Sequence, residues 1–121
     1  MKIAVSSEGS SIDSKMDTRF GRAEYFIIVD NKTMEYEAIK NSAAAKSGGA
    51  GTEAAQQLVN KGVEAVISSN VGPNAMDVLV AANIPAYKAS NLSIKEAVEH
   101  FNKGLLEKIS EPTNKGLHGR N

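Results

Sequence analysis

The sequence predicts an α/β domain in which a mixed sheet is flanked by helices. Three observations carry that prediction. Strand-like segments crowd the first 40 residues, apolar residues fall at helical spacing after Thr52, and short apolar runs alternate with those helices.

Lys2 to Ser6 (KIAVS) is a short strand that ends in a pair of serines. Ser7 to Arg22 is polar and irregular. Glu24 to Asp30 (EYFIIVD) is the strongest strand signal, and Phe26 to Val29 is apolar on both faces. Such a run needs cover on both sides, so it belongs in the sheet interior, antiparallel to Lys2–Ser6. Asp30-Asn31-Lys32 is a turn. Met34 to Ile39 then alternates, with Met34, Tyr36 and Ala38 on one face of a half-exposed return strand.

From Thr52 to Lys61 a helix places Gly51, Ala54, Ala55, Leu58 and Gly62 on one face. Glu64 to Ser69 (EAVISS) is a buried strand. Pro73 to Ala82 is a second helix, with Pro73 suited to its first position and Asn83 to a left-handed stop. Its inner face is Ala75, Val78, Leu79 and Ala82. Pro85 to Lys88 is a last short strand. Ser93 followed by Glu96 is a capping box that opens a third helix, with Leu92 and Ala97 as its staple. Ile94, Ala97, Val98 and Phe101 are its buried stripe, and Gly104 ends it. Residues 1–109 form a single domain. From Ser110 to Asn121 the chain is polar, with Pro112, Gly116 and Gly119, and is expected to be a flexible tail.

Composition narrows the function classes. Apolar residues make up 41% of 121, enough to bury a core of Val, Ile, Leu and Ala without tryptophan. Fourteen basic side chains balance 14 acidic ones, which argues against nucleic acid as a partner. The sequence contains no cysteine, so disulfides, zinc–thiolate sites and cysteine nucleophiles are excluded. No stretch approaches the roughly 20 apolar residues of a membrane span, and the expected location is the cytoplasm.

Helix starts gather at the carboxyl ends of the parallel strands, the edge where open α/β sheets bind ligands. Ser6 to Arg22, Ser47 to Thr52, Ser68 to Asn74 and Ala89 to Ser93 all map there. In Gly48-Gly49-Ala50-Gly51 the missing side chains let backbone approach a ligand, and the helix that follows offers unpaired N–H groups. Val71-Gly72-Pro73 repeats the device, although Pro73 has no donor. Both segments suit an anion, and both equally suit an ordinary helix start. Neither matches a nucleotide fingerprint. Arg19 and Arg22 flank Phe20-Gly21 as an anion clamp or as partners of a nearby aspartate. Asp13 and Asp17 are expected to be solvated loop acids. Met16, Met34 and Met76 are gap-filling residues. His100 and His118 have no carboxylate or serine partner in the pattern, so no catalytic residue is assigned and the chain is not expected to be an enzyme.

Met1 to Ser7 (MKIAVSS), Ile12-Asp13-Ser14, and Arg19 to Ala23 (RFGRA) running into Tyr25 to Asp30 (YFIIVD) form an ordered series. Gly48-Gly49-Ala50-Gly51 and Gly72-Pro73-Asn74-Ala75 complete it. In order and spacing, from residue 1 to about Leu106, the chain resembles the dinitrogenase iron–molybdenum cofactor biosynthesis family. That family includes NifX-like and orange-protein-like members and the carboxyl-terminal part of NifB. The resemblance implies a ribonuclease-H-like sheet of five strands in the order 3-2-1-4-5, with the second antiparallel. It does not bring nuclease activity, because Ala4 and Ser6 stand where a nuclease needs a metal-binding carboxylate.

The resemblance further implies cargo of one class: an iron–molybdenum cluster or another molybdenum, iron or copper sulfide cluster. The candidate cofactor-binding residues are Arg19, Phe20, Gly21, Gly48, Gly49, Gly51, Asn70, Gly72 and Asn74, with no direct metal ligand among them. Cofactor-binding relatives have His-Phe-Gly where this chain has Arg19-Phe20-Gly21, and an arginine stays protonated and does not coordinate a metal. It can pair with an anionic sulfide cluster by charge and hydrogen bonds. Two functions are consistent with these residues. One is a non-catalytic carrier of an anionic metal–sulfur cluster or its precursor, acting with partners in cofactor assembly. The other is a metal-free regulatory or adaptor domain that contacts a protein partner through the same edge.

Overall fold

The computed structural model describes residues 1–111. The expected tail, from Pro112 on, lies outside the described residues. Nine elements follow in order: β1 (Lys2–Ser7), β2 (Tyr25–Asp30), β3 (Tyr36–Lys40), α1 (Ala50–Asn60), β4 (Ala65–Ser68), α2 (Pro73–Ala81), β5 (Ala86–Lys88), α3 (Ile94–Asn102) and β6 (Glu107–Ile109). They build one sheet in the order β3-β2-β1-β4-β5-β6. β1 pairs antiparallel with β2 and parallel with β4, and β2 also pairs antiparallel with β3, so β2 is interior, as its apolar run requires. The expected 3-2-1-4-5 order is present, extended by β6 antiparallel to β5.

The two-sided burial of the central strands follows from their alternation. Ala4, Phe26, Ile28 and Val66 point to the side covered by Ala54, Ala55 and Leu58 of α1 and Ala75 and Leu79 of α2. Ile3, Val5, Ile27, Val29 and Ile67 point to the side covered by Ile94, Ala97 and Val98 of α3. α3 starts as the sequence predicts: the Ser93 side chain accepts from the Glu96 N–H while the Glu96 carboxylate accepts from the Ser93 N–H.

Four details depart from the sequence reading. The strand β6 is new, since three residues carry no periodic signal; Ile109 is what it buries. Met34 is not part of β3. Asp30 accepts from the N–H groups of Lys32 and Thr33, the Met34 N–H bonds back to the Asp30 carbonyl, and Met34 turns with φ 65°. α1 begins at Ala50 rather than Thr52, because Gly49 makes the left-handed turn (φ 75°) that starts it. In α2 the fully buried positions are Ala75, Met76 and Leu79, with Val78 and Ala82 only partly covered.

Two predictions follow from this packing. Leu58 is fully buried between α1 and the sheet, so Leu58→Ala is expected to destabilise the protein by about 2–5 kcal/mol in denaturant unfolding. The Asp30 carboxyl is held below its ordinary 3.8 by the N–H groups of Lys32 and Thr33. Its stabilising contribution is complete above the unfolded value and is lost as pH falls through the lower folded one. Asp30→Ala is therefore expected to flatten the fall of stability with pH below about 4, measured by urea unfolding at a series of pH values.

Candidate functional site

The first irregular segment folds onto the carboxyl ends of the central strands. Asp17 donates its N–H to the Ser6 carbonyl at 3.0 Å, and its own carbonyl accepts from Ser6 Oγ at 2.8 Å. Ser6 Oγ also meets Ser68 Oγ at 2.8 Å, which ties β1, β4 and this segment into one buried polar junction. One residue pair further along, the Phe20 N–H donates to the Asn70 carbonyl and Asn70 Nδ2 donates to the Thr18 carbonyl. The Phe20 ring then drops into the core against Phe26, 5.1 Å between centroids.

This arrangement puts three chain segments around one cleft of about 400 Å³, lined by residues 19–22, 49–51, 70 and 72–75. Of the residues singled out in the sequence, Arg19, Phe20, Gly21, Gly49, Gly51, Asn70, Gly72 and Asn74 meet here. Gly48 is exposed and lies outside the lining. Ala89 to Ser93 shares the same end of the sheet but packs instead on residues 12–16, where the Met16 N–H donates to the Leu92 carbonyl. Met76 is buried in the core and does not line the cleft.

The close approach of the segments depends on glycine. A Cβ on Gly21 would stand 3.1 Å from both the N and the Cα of Gly51, and one on Gly51 would stand 3.5 Å from the Ala75 Cβ. Backbone therefore touches backbone across the floor. Both helices start there with glycine caps, Gly49 and Gly72, that offer no side-chain acceptor. The N–H groups of Ala50 and Gly51 in α1, and of Asn74 and Ala75 in α2, lie in first turns that provide no intrahelical acceptor. These residues line the cleft, at the positive ends of two helix dipoles.

The charged groups are held differently. Arg19 forms a two-pronged pair with Asp17: Nε donates to Oδ1 and Nη2 to Oδ2, each at 3.1 Å. The Asp17 side chain is 5% exposed and that of Arg19 59%. The sequence reading of Asp17 as a solvated acid is thus corrected. The Ser6 junction draws it under the loop, and its carboxylate is buried because Arg19 covers it. The same carboxylate, by hydrogen bond and by charge, holds the Arg19 guanidinium above its ordinary value. Arg22, the second cleft cation, donates through Nη1 to the carbonyls of Ala44, at 3.1 Å, and Lys46. Among the described residues no carboxylate lies within 4.0 Å of it.

Asn41 is a residue that sequence reasoning missed. It is buried, its Nδ2 donates to the carbonyls of Gly21 and Ala23, and its Oδ1 accepts from the Ala43 N–H and Gln57 Nε2. One side chain thereby fastens the cleft loop to α1. Its position just after an alternating strand is the only local signal, and that signal is shared with any turn.

Among the described residues no group of three or more His, Cys, Asp or Glu converges as a metal site. The donors at the cleft are N–H groups and guanidinium, which suit the acceptor atoms of an anion.

Residues 1–104 match the sequence profile of the dinitrogenase iron-molybdenum cofactor family. The chain belongs to that family. An uncharacterized protein of Methanocaldococcus jannaschii is 38% identical over 112 residues, covering 90% of this chain and 92% of the relative. Among solved structures, the apo form of the orange protein from Desulfovibrio gigas is 36% identical and superposes with a TM-score of 0.90, over 93% of this chain and 96% of the other. A NifB-like protein from Thermotoga, solved by NMR, is 39% identical with a TM-score of 0.83, over 95% and 98% of the two chains. The family resemblance and the mixed-sheet fold expected from the sequence are both found.

The floor contact generates a test. Gly21→Ala must push α1 away by a few tenths of an ångström, because its nearest neighbours are backbone atoms of Gly51. The expected cost is about 1–3 kcal/mol of stability. Amide chemical-shift changes should concentrate at residues 49–52 and 74–75, and shifts confined to residues 20–22 would contradict the contact.

Proposed function

We propose that this chain is a carrier that holds an anionic metal–sulfur cluster, or a thiometalate precursor of one, in the cleft between Arg19 and the starts of α1 and α2. It performs no covalent chemistry on its cargo. The observation that carries the reading is the convergence of two helix N-termini without side-chain caps and two arginines on one cleft floored by glycine backbone. Membership of a family described by the iron–molybdenum cofactor supports the choice of anion.

The donor set fits such cargo. Sulfides on a cluster surface are hydrogen-bond acceptors with negative charge, and N–H and guanidinium donors recognise them without displacing metal ligands. Each helix terminus contributes about 0.3–1 kcal/mol when exposed, and more when partly buried. The cleft volume of about 400 Å³ lies within the range usual for small-ligand sites. With no cysteine in the sequence, the chain has no thiolate to bond the metal. Cargo held by hydrogen bonds alone is released without breaking a metal–protein bond, which suits handing it to the next protein. Among the described residues no helix is long and apolar enough to cross a membrane.

Titration with tetrathiomolybdate, followed by absorbance, tests this. The wild type is expected to bind, and affinity is expected to fall as salt rises. Arg22→Ala should weaken binding roughly tenfold, the worth of one charge-assisted hydrogen bond. Arg19→Ala should also weaken it, and Lys32→Ala, in the β2–β3 turn, should leave it unchanged. A wild type that binds neither tetrathiomolybdate nor reconstituted clusters would move the cleft to the other role, contact with a protein partner.

A further inference from the structure

We propose that Asp17 is a positioning residue for cargo recognition: it locks the Arg19 guanidinium in one orientation at the cleft, so that Arg19 acts as an aimed hydrogen-bond donor rather than as a source of net charge. The inference rests on the carrier reading above and names the residue that orients one of its donors.

The carboxylate of Asp17 accepts three hydrogen bonds from a single residue. Oδ1 takes the Arg19 backbone N–H at 2.9 Å and Nε at 3.1 Å, and Oδ2 takes Nη2 at 3.1 Å. Backbone and side chain of Arg19 are therefore fixed by one group. That group is itself immobile, because the Asp17 backbone is bonded in both directions to Ser6 at the carboxyl end of β1, and Ser6 Oγ is bonded to Ser68 Oγ at the end of β4. The guanidinium is thus anchored, through the carboxylate, to the two central strands of the sheet.

A guanidinium carries five N–H donors in a rigid fork, of which this pairing occupies the Nε edge. Nη1 forms no hydrogen bond among the described residues and remains available at the cleft, where Arg19 is part of the lining. The pair as a whole is close to neutral. The uncompensated charge of the cleft is supplied by Arg22, whose partners are carbonyl oxygens. Recognition is divided between the two arginines: Arg22 attracts an anion, and Arg19 presents oriented N–H groups to its acceptor atoms.

The division makes a prediction whose sign differs from charge counting. Asp17→Asn removes one negative charge beside the cleft. If Arg19 acts only by charge, this variant binds tetrathiomolybdate more tightly and with a steeper salt dependence. If Arg19 acts by orientation, the variant binds more weakly, by roughly tenfold, although the cleft has become more positive. Arg19→Lys keeps the charge and loses the fork, so orientation predicts a similar loss and charge predicts near-wild-type affinity. Arg19→Lys also covers the case in which Asp17→Asn fails to fold.

A second readout needs no cargo. The Arg19 Nε–H resonance of uniformly ¹⁵N-labelled protein should exchange slowly in the wild type and merge with the free arginines in Asp17→Asn. Weaker binding by both variants, together with that loss, supports the proposal. Tighter binding by Asp17→Asn, wild-type affinity in Arg19→Lys, or a wild-type Nε–H that already exchanges like free arginine overturns it. A wild type that shows a protected Nε–H but binds no tetrathiomolybdate contradicts the cargo reading itself and leaves the orientation of Arg19 standing.

Discussion

A polar junction buried at the carboxyl ends of β1 and β4 governs the geometry of the cleft. Ser6 and Ser68 share a hydrogen bond across the two central strands, and Ser6 takes both backbone groups of Asp17. Buried polar groups are costly unless every one is paired, and here the pairing is closed, so the junction favours one position of the loop over all others. Everything that lines the cleft from the amino-terminal side is measured from that point. Phe20 reaches the core, Gly21 reaches α1, and Arg19 is held at the rim.

The opposite side of the cleft is built by helix geometry and small residues. Gly49 and Gly72 start their helices without side-chain caps, and Gly21, Gly51 and Ala75 let three segments touch through backbone. At Gly72 the backbone is extended (φ −75°, ψ 172°) and would accept a capping Ser, Asp or Asn, as the chain itself has at Ser93 on α3, whereas Gly49 turns left-handed (φ 75°), a conformation that favours glycine. The contrast within one molecule is informative. The capped helix starts on the other face of the sheet, away from the cleft, and the two uncapped ones start at it. At Gly72 the missing side-chain cap forgoes about a few tenths of a kcal/mol relative to Ser or Asp and leaves the first-turn donors of α2 without a side-chain partner, which fits donors kept available for a ligand.

The interior place of β2 was legible because four consecutive apolar residues, Phe26 to Val29, leave no face for solvent, whereas the 3-2-1-4-5 order came from the family resemblance. The α3 start was legible because Ser93 and Glu96 act on their own backbone. What escaped the sequence depends on distant partners. Asp17 is buried because Ser6, 11 residues away, holds its backbone under the loop and Arg19 covers its carboxylate. Asn41 looks like a turn residue until the loop at Gly21 and Ala23 arrives to use its amide. β6 is too short to show a period and exists because β5 leaves an open edge beside Ile109. Met34 continues an apparent alternation that the Asp30 side chain interrupts by capping the turn. For the candidate site, residue types and segments were readable, whereas the different partners of Arg19 and Arg22 were not, since both stand in one short motif and differ only in what they meet in the fold.

The central claim is that this cleft carries a metal–sulfur anion, and the most direct measurement is elemental analysis of the protein purified without oxygen from cells that naturally make it. The account predicts molybdenum, iron or copper together with acid-labile sulfide, in fixed ratio to protein and lost on washing at high salt. Protein recovered from the same cells free of both metal and sulfide would contradict it.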